Sequence, residues 1–183
     1  MKLKILTFSF LLVGLSTGCT KPPKGITPIS QFDVTRYQGK WYEIMRLDHR
    51  FERGLSNVTA TYTLHKNGTI EVVNRGLDRE SCEWKEARGT ATFLGKETTA
   101  SLSVTFFWPF SGGYHVLALD KKNYQYALVS GPSRDYLWIL ARQSSLKPKI
   151  KNKLISIAQQ NGFNTGELIL VNQANPPCNK KPN

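Results

Sequence analysis

Few side chains in this sequence are spaced for catalysis. His49, His65 and His115 are each isolated, which argues against a shared metal or a catalytic triad. No Gly-x-Ser-x-Gly turn is present to expose an activated serine. The remaining nucleophiles are the thiols Cys19, Cys82 and Cys178. Among the carboxylates Glu43 is the most informative. It alternates with Trp41 in an apolar, strand-like run and so points the same way. A carboxylate aimed at an interior must be paired or protonated, and Arg75 is the partner that a bulge would bring to it. The chemistry on offer is recognition more than bond-making, because the chain is otherwise rich in aromatic and cationic side chains.

Cys19 has a distinctive setting. Lys2 and Lys4 precede or open an apolar run, Ile5 to Leu15, of 11 residues. That is too short for a helix that spans a bilayer, and it has the layout of an export signal. Leu15-Ser16-Thr17-Gly18-Cys19 then resembles a lipoprotein cleavage box, although Leu15 stands one place early. The expectation is loss of residues 1–18 as a lipoprotein signal peptide and acylation of Cys19 with chains such as palmitate. Several acyl chains, at ~0.8 kcal/mol per buried CH₂, would hold the protein on a membrane. Thr20 after the Cys, where Asp would signal retention, points to the outer membrane and its periplasmic face. A plain secretory signal with an incidental Cys is the alternative.

Export would leave Cys82 and Cys178 as an even pair in an oxidising compartment, where a disulfide is favoured over a reactive thiol. The formal charge is +12, and +10 without residues 1–18, which contain Lys2 and Lys4 and no acid. Such a balance suits anionic lipid or an anionic ligand. Nucleic acid, the usual partner of a basic chain, is disfavoured by export and by the lack of a recognition-helix pattern.

Positioning these groups falls to strands. Residues 19–30, with Pro22, Pro23 and Pro28, have the composition of a semi-stiff tether. Strands are then predicted near 41–47, 56–65, 69–77, 87–95, 99–108, 113–120, 124–131 and 136–143, with His65-Lys66-Asn67-Gly68 turning the second into the third. The second alternates Val58, Ala60, Tyr62 and Leu64 against Asn57, Thr59, Thr61 and Thr63, and the fifth sets Leu102, Val104 and Phe106 against Ser101, Ser103 and Thr105. Each strand therefore has one dry face and one wet face. The one strong helical pattern follows the eighth strand. Ser145 is placed to cap it, Pro148 suits its first turn, Ile150, Leu154, Ile157 and Ala158 share a face, and Asn161-Gly162 ends it. Leu168 to Val171 adds a short ninth strand. The organisation is one domain, residues 31–172, and a polar tail, residues 173–183.

Gly39-x-Trp41 near the first strand and Trp138-Ile139-Leu140-Ala141-Arg142 on the eighth carry the decisive spacing. Gly39 allows a tight turn, Trp41 is a rigid plug, and an Arg late in the chain can stack on a Trp early in it. This pattern, with the run Trp41 to Gly54, resembles the lipocalin family and within it the bacterial lipocalins. The resemblance implies an all-β fold: an eight-stranded antiparallel up-and-down barrel with one C-terminal helix outside and a short ninth strand. It implies a barrel floor of Gly39, Trp41 and Arg142, and a disulfide from the loop holding Cys82 to the tail at Cys178. One departure is Ser130-Gly131-Pro132, where the family usually has Thr-Asp-Tyr.

An eight-stranded barrel either fills its lumen or holds one small ligand. The inward set mixes small and aromatic residues: Val58, Ala60, Tyr62, Gly89, Ala91, Phe93, Leu102, Val104, Phe106, Tyr114, Val116, Ala118, Trp138 and Leu140. That mixture favours a carbon-lined cavity. At the open end the loops supply His49, Arg50, Phe51, Arg53, Trp108, Phe110 and Arg134, an aromatic rim with surplus cations. A dry tube under a basic rim matches an anionic amphiphile. The expected function is an envelope-tethered carrier of fatty acids or lysophospholipids with no cofactor, no metal and no enzymatic activity; a homodimer is compatible with the sequence. The rivals are a lipocalin-type enzyme acting on a small hydrophobic substrate, and a binder of haem or another hydrophobic molecule, although His115 has the parity opposite to the inward set.

Overall fold

A computed structural model describes residues 20–174. The acylation expected at Cys19 and the partner expected at Cys178 lie outside the described residues. The chain opens with a short helix, α1 (Val34–Tyr37), followed by strands β1 (Gly39–Arg46), β2 (Leu55–Leu64), β3 (Ile70–Asp78), β4 (Trp84–Phe93), β5 (Ser101–Phe107), β6 (Phe110–Leu119), β7 (Tyr126–Ser130) and β8 (Leu137–Ala141). Helix α2 (Pro148–Gln160) and strand β9 (Ile169–Leu170) complete it. From β1 to β8 each strand pairs antiparallel with the next, β1 closes the ring by pairing with both β2 and β8, and β9 adds to β1. This is the expected barrel, and closure removes most of the unpaired edge that an open sheet would present.

Alternation along the strands sorts the apolar residues into two cores. Inward residues, among them Trp41, Tyr62, Val72, Ala91, Leu102, Val116 and Leu140, pack inside the barrel. Outward residues of β1, β7 and β8, including Ile44, Leu128, Leu137 and Ile139, pack against Leu154 and Ala158 of α2. That helix has the predicted face but not the predicted cap: its N-cap is Lys147, with Pro148 in the first turn and no side-chain cap. Ser145 therefore lies outside it.

The ladder register shifts at four places, Glu43/Met45, Ser56/Thr59, Thr105/Phe107 and Val116/Ala118, and two of these decide which side chains reach the lumen. In β6 the register with β7 shifts between Val116 and Ala118, which turns Ala118 out of the lumen into the core under α2. In β1 the register with β8 shifts between Glu43 and Met45. An extra residue flips the parity beyond it, so Met45 packs in the outer core, while Arg46 is buried beside Glu43. Arg75, the expected partner of Glu43, is exposed and stacks its guanidinium 4.2 Å from the Trp84 ring centre.

The segment 20–30 is more than a tether. Pro23 and Ile26 are buried, Ile29 donates its N–H to Val116 O at 2.9 Å and accepts one from Ala100 at 3.0 Å, and Ser30 bridges to Thr99. At the other end of the domain, residues 171–174 fill the space where the upper half of β1 leaves β2. The Gln173 amide donates to both Glu43 O and Val58 O, at 2.7 and 2.8 Å.

Candidate functional site

The lumen has two unlike halves. The closed end is sealed by α1, which the sequence reading missed; its signal is Asp33-x-Thr35, where Asp33 Oδ1 accepts the Thr35 N–H at 2.9 Å as an N-cap. Trp41, fully buried, donates Nε1–H to Tyr37 O at 2.8 Å and packs tilted against the Tyr37 ring, with 4.6 Å between ring centres. From outside, the Arg142 guanidinium lies 4.0 Å from the Trp41 ring centre and donates to the carbonyls of Arg36, Tyr37 and Lys40. Gly39, at φ +88°, makes the turn into β1 directly beneath that guanidinium. Its Nε donates to Tyr124 O as well, at 3.2 Å, and five donors in a flat fork let one arginine hold four carbonyls and a ring face together, which a lysine could not do.

Above this floor three tyrosine hydroxyls meet. Tyr114 Oη lies 2.7 Å from Tyr37 Oη and 2.9 Å from Tyr62 Oη. Burial pushes all three phenols upward in pKa, so they remain neutral donors and acceptors. The space among Phe32, Val34, Ile70, Ala91, Leu102 and Val104 around this cluster is about 10 Å³, room for no more than ~1 water. Ala91, expected to border a void, is thus packed into a filled base, together with Leu102 and Val116.

The upper half is wetter. Ala60, Gly89, Phe106 and Trp138 belong to inward faces yet are only half-buried, whereas Phe93, Val104 and Tyr114, also half-buried, border the filled base. Trp84 to Arg88 on β4 are exposed on both faces of the strand. The pairing of β4 with β5 runs only from Phe93↔Leu102 to Thr90↔Thr105, so the top of β4 is held by β3 alone. Gly89 stands where the two strands part. A Cβ there would sit 2.8 Å from both Phe106 Cδ1 and Thr105 O, so only glycine lets the Phe106 ring lie across the lumen. The barrel is open to solvent at its top and along this seam. Val58 is buried beside Gly76, and Leu140 is buried in the inner core.

On the opposite wall the β1 bulge and the loop after it build a buried polar cluster. Arg46 Nη1 donates to Glu43 Oε1 at 2.8 Å, and its Nη2 donates to Glu52 O at 2.7 Å. Glu52 Oε2 accepts from Trp138 Nε1 at 3.0 Å and lies 3.1 Å from His49 Nε2. The His49 ring sits among Phe51, Tyr136 and Trp138. Burial pushes the Glu43 carboxyl well above the ordinary carboxylate value, and the Glu52 charge adds to this against the pull of Arg46. Glu52 goes the other way: burial raises it, but His49, Trp138 and Arg46 together outweigh that and hold it below the ordinary value. The two carboxyls are therefore pushed in opposite directions, Glu43 toward its protonated form and Glu52 toward its ionised one. Sequence reasoning missed Arg46 and Glu52, since neither a bulge nor a loop's return into a barrel leaves a pattern in the residues.

The expected rim also needs revision. His49 is buried in the lumen wall. Arg134 is no free cation: its Nε and Nη2 donate to Asn161 O and Lys24 O, at 2.8 and 2.9 Å, tying the β7–β8 loop to the end of α2 and to the N-terminal segment. Arg53 pairs with Asp48 at 2.8 Å on the surface. Arg50 lies over the Phe51 ring, 4.9 Å from its centre. Phe51, Trp108 and Phe110 are exposed. His115 is fully buried but faces away from the lumen, with Nδ1 3.0 Å from Ser101 Oγ, and burial lowers its pKa. Cys82 forms no disulfide among the described residues.

A closed antiparallel barrel with a stacked Trp–Arg floor, an external helix and an open aromatic mouth is the architecture of single-chain barrels that hold one small hydrophobic molecule. Residues 32–173 match the model of the Lipocalin-like domain, and the chain belongs to the lipocalin family. It is 49% identical over 167 residues to the outer membrane lipoprotein Blc of Citrobacter freundii, covering 91% of this chain and 93% of that one. It is 48% identical to the outer membrane lipoprotein Blc of Vibrio cholerae, covering 91% and 97%. Bovine apolipoprotein D is 36% identical over 87% of this chain and 84% of its own length. Among solved structures, insecticyanin from the tobacco hornworm Manduca sexta superposes with a TM-score of 0.66 at 20% identity, over 84% of this chain and 86% of that one. The bacterial relatives place the chain at the outer membrane.

Proposed function

We propose that this protein is a membrane-tethered carrier of single-chain lipids, fatty acids or lysophospholipids, held through an acylated Cys19. The observation that carries the reading is the half-buried, carbon-lined upper lumen, open at the top and floored by the tyrosine cluster. An acyl tail in that space would cover Ala60, Gly89, Val104, Phe106 and Trp138. Its polar end would remain near the mouth, where water and the Glu52–His49–Arg46 wall can solvate it. Fully burying apolar surface yields roughly 25 cal/mol per Å², so the tail dominates affinity and the headgroup tunes it. Exposed Arg50 and Arg53 would each contribute under ~1 kcal/mol to an anionic headgroup. A bridge from Cys82 to Cys178 belongs to the same reading. Asn57 Nδ2 donates to Ala174 O at 2.7 Å, so the chain is pinned at the open end four residues before Cys178.

Titration of a fluorescent fatty acid tests the site. Ala60→Trp fills the upper lumen, and overpacking of this kind costs ~1–3 kcal/mol of stability. Binding by the folded variant should fall at least ~10-fold, which corresponds to ~1.4 kcal/mol. Arg53→Ala should change it less than ~5-fold. Undiminished binding to folded Ala60→Trp would place the ligand outside the barrel and end the carrier reading.

A further inference from the structure

Five of the eight large apolar side chains exposed among the described residues, Phe51, Trp84, Phe107, Trp108 and Phe110, lie at the open end. The densest group is the β5–β6 turn, Phe107-Trp108-Pro109-Phe110. There Phe107, Trp108 and Phe110 are 76%, 89% and 63% exposed. A contiguous run of exposed aromatics at one tip is unusual on a protein that stays wholly in water and marks a docking surface. A Trp at such a tip is suited to a membrane–water interface, where its ring is apolar and its N–H stays wet.

The N-terminal segment fixes the occupant. A Cβ built on Gly113 would lie 2.7 Å from Thr20 O, so the chain enters the described structure directly against β6. Gly113 is three residues from Phe110, or ~10 Å at ~3.3 Å per residue. The described chain therefore begins at the barrel wall beside the tip, one residue after the proposed anchor at Cys19. The exposed charge at this end leans positive: Arg50, Arg79 and Lys21 are exposed, with Glu80 as an exposed acid beside them, while Asp48 is paired with Arg53.

We propose that the Phe107–Phe110 tip inserts into the leaflet that carries the protein's own anchor, so that the mouth of the barrel opens onto a phospholipid surface. The seam between β4 and β5 ends beside this tip, which gives an acyl chain a path from bilayer to lumen that does not cross water. The proposal rests on the carrier reading for its purpose, but the geometry of docking can be tested apart from it.

The full acylated chain would be mixed with excess vesicles of phosphatidylethanolamine and phosphatidylglycerol bearing brominated acyl chains, and tryptophan quenching measured. The parent should be quenched, and Trp108→Phe should remove most of that quenching. Trp138→Phe controls for lipid drawn into the lumen and should remove little. With unbrominated vesicles, Trp108→Ser combined with Phe110→Ser should slow uptake of a fluorescent fatty acid ~10-fold. A parent whose quenching is the same with and without Trp108 overturns the docking. So does a dimer in sedimentation that Trp108→Ser abolishes while Trp108 stays unquenched, since the tip's occupant is then a second copy. A parent that is quenched at Trp108 but binds no fatty acid overturns the carrier reading and leaves the docking intact. An unmodified Cys19 by intact mass, with Trp108 still quenched, removes the anchor alone.

Discussion

The two ends of the barrel solve opposite problems. At the closed end the polar groups that build the floor have partners inside the fold: Trp41 Nε1 on Tyr37 O, Arg142 on four carbonyls, and three phenols on one another. At the open end, buried charges are balanced against each other, aromatic rings face solvent, and the β4–β5 ladder is left short. Buried Arg46 Nε, His49 Nδ1 and Asn74 Oδ1 there lack protein partners. Unsatisfied groups of this kind each cost ~1–3 kcal/mol unless water or a ligand reaches them, so stability is concentrated at the floor and adaptability at the mouth.

The largest effect should come from the floor. Trp41→Ala removes a fully buried ring and its hydrogen bond, and chemical denaturation should register a loss of ~3–5 kcal/mol. Next is Arg46→Leu. It breaks the buried Arg46–Glu43 pair, leaves Glu52 O without its donor and removes a cation from beside the Glu52 carboxylate, and should cost about 3 kcal/mol by the same measurement, as breaking a buried pair does. Adding Glu52→Gln should recover part of it. An Arg46→Leu protein as stable as the parent would mean that the cluster is solvated, and the contrast between the ends would weaken.

Glu43→Gln sharpens the contrast through pH. Because the Glu43 pKa is raised, its contribution to stability is complete below the ordinary value of 4.5 and is lost as pH climbs through the raised one. Glu52 is lowered, so its contribution is present above 4.5 and is lost as pH falls. Gln keeps the oxygen that Arg46 donates to and cannot ionise. Denaturation midpoints of Glu43→Gln should lose the alkaline decline of the parent and keep its acid decline. An unchanged alkaline limb would show that Glu43 is already ionised beside Arg46. The smallest effect belongs to the tip: Trp108→Ser should shift stability by less than ~0.5 kcal/mol, since a side chain that is 89% exposed contributes little to the core.

Most of the frame was legible in the residues, because period-two alternation in β2 and β5 and the Gly39–Trp41–Arg142 set depend on local pattern and on stacking chemistry that residue type reveals. The candidate site was legible only in part. Ala60, Gly89 and Trp138 could be placed by parity, since each lies in a stretch of strand whose register is regular. Arg46, Met45 and Ala118 could not, because one bulged residue reverses parity and nothing in the sequence announces it. His49 and Arg134 were read as surface cations because loops normally face water; here one loop folds into the lumen, and the other is pinned by the end of α2. The filling of the base around Ala91 depends on how α1 seats Tyr37 beneath Tyr114, a tertiary fact with no linear signature.

Native mass spectrometry of the full chain, purified from the envelope without added lipid, is the most direct test of the carrier assignment. The parent should retain a non-covalent mass matching a fatty acid or lysophospholipid, released at moderate collision energy. Ala60→Trp should fold and lack it. A parent that carries no acyl lipid, or an Ala60→Trp protein that carries as much as the parent, would contradict the assignment of the upper lumen as the lipid site.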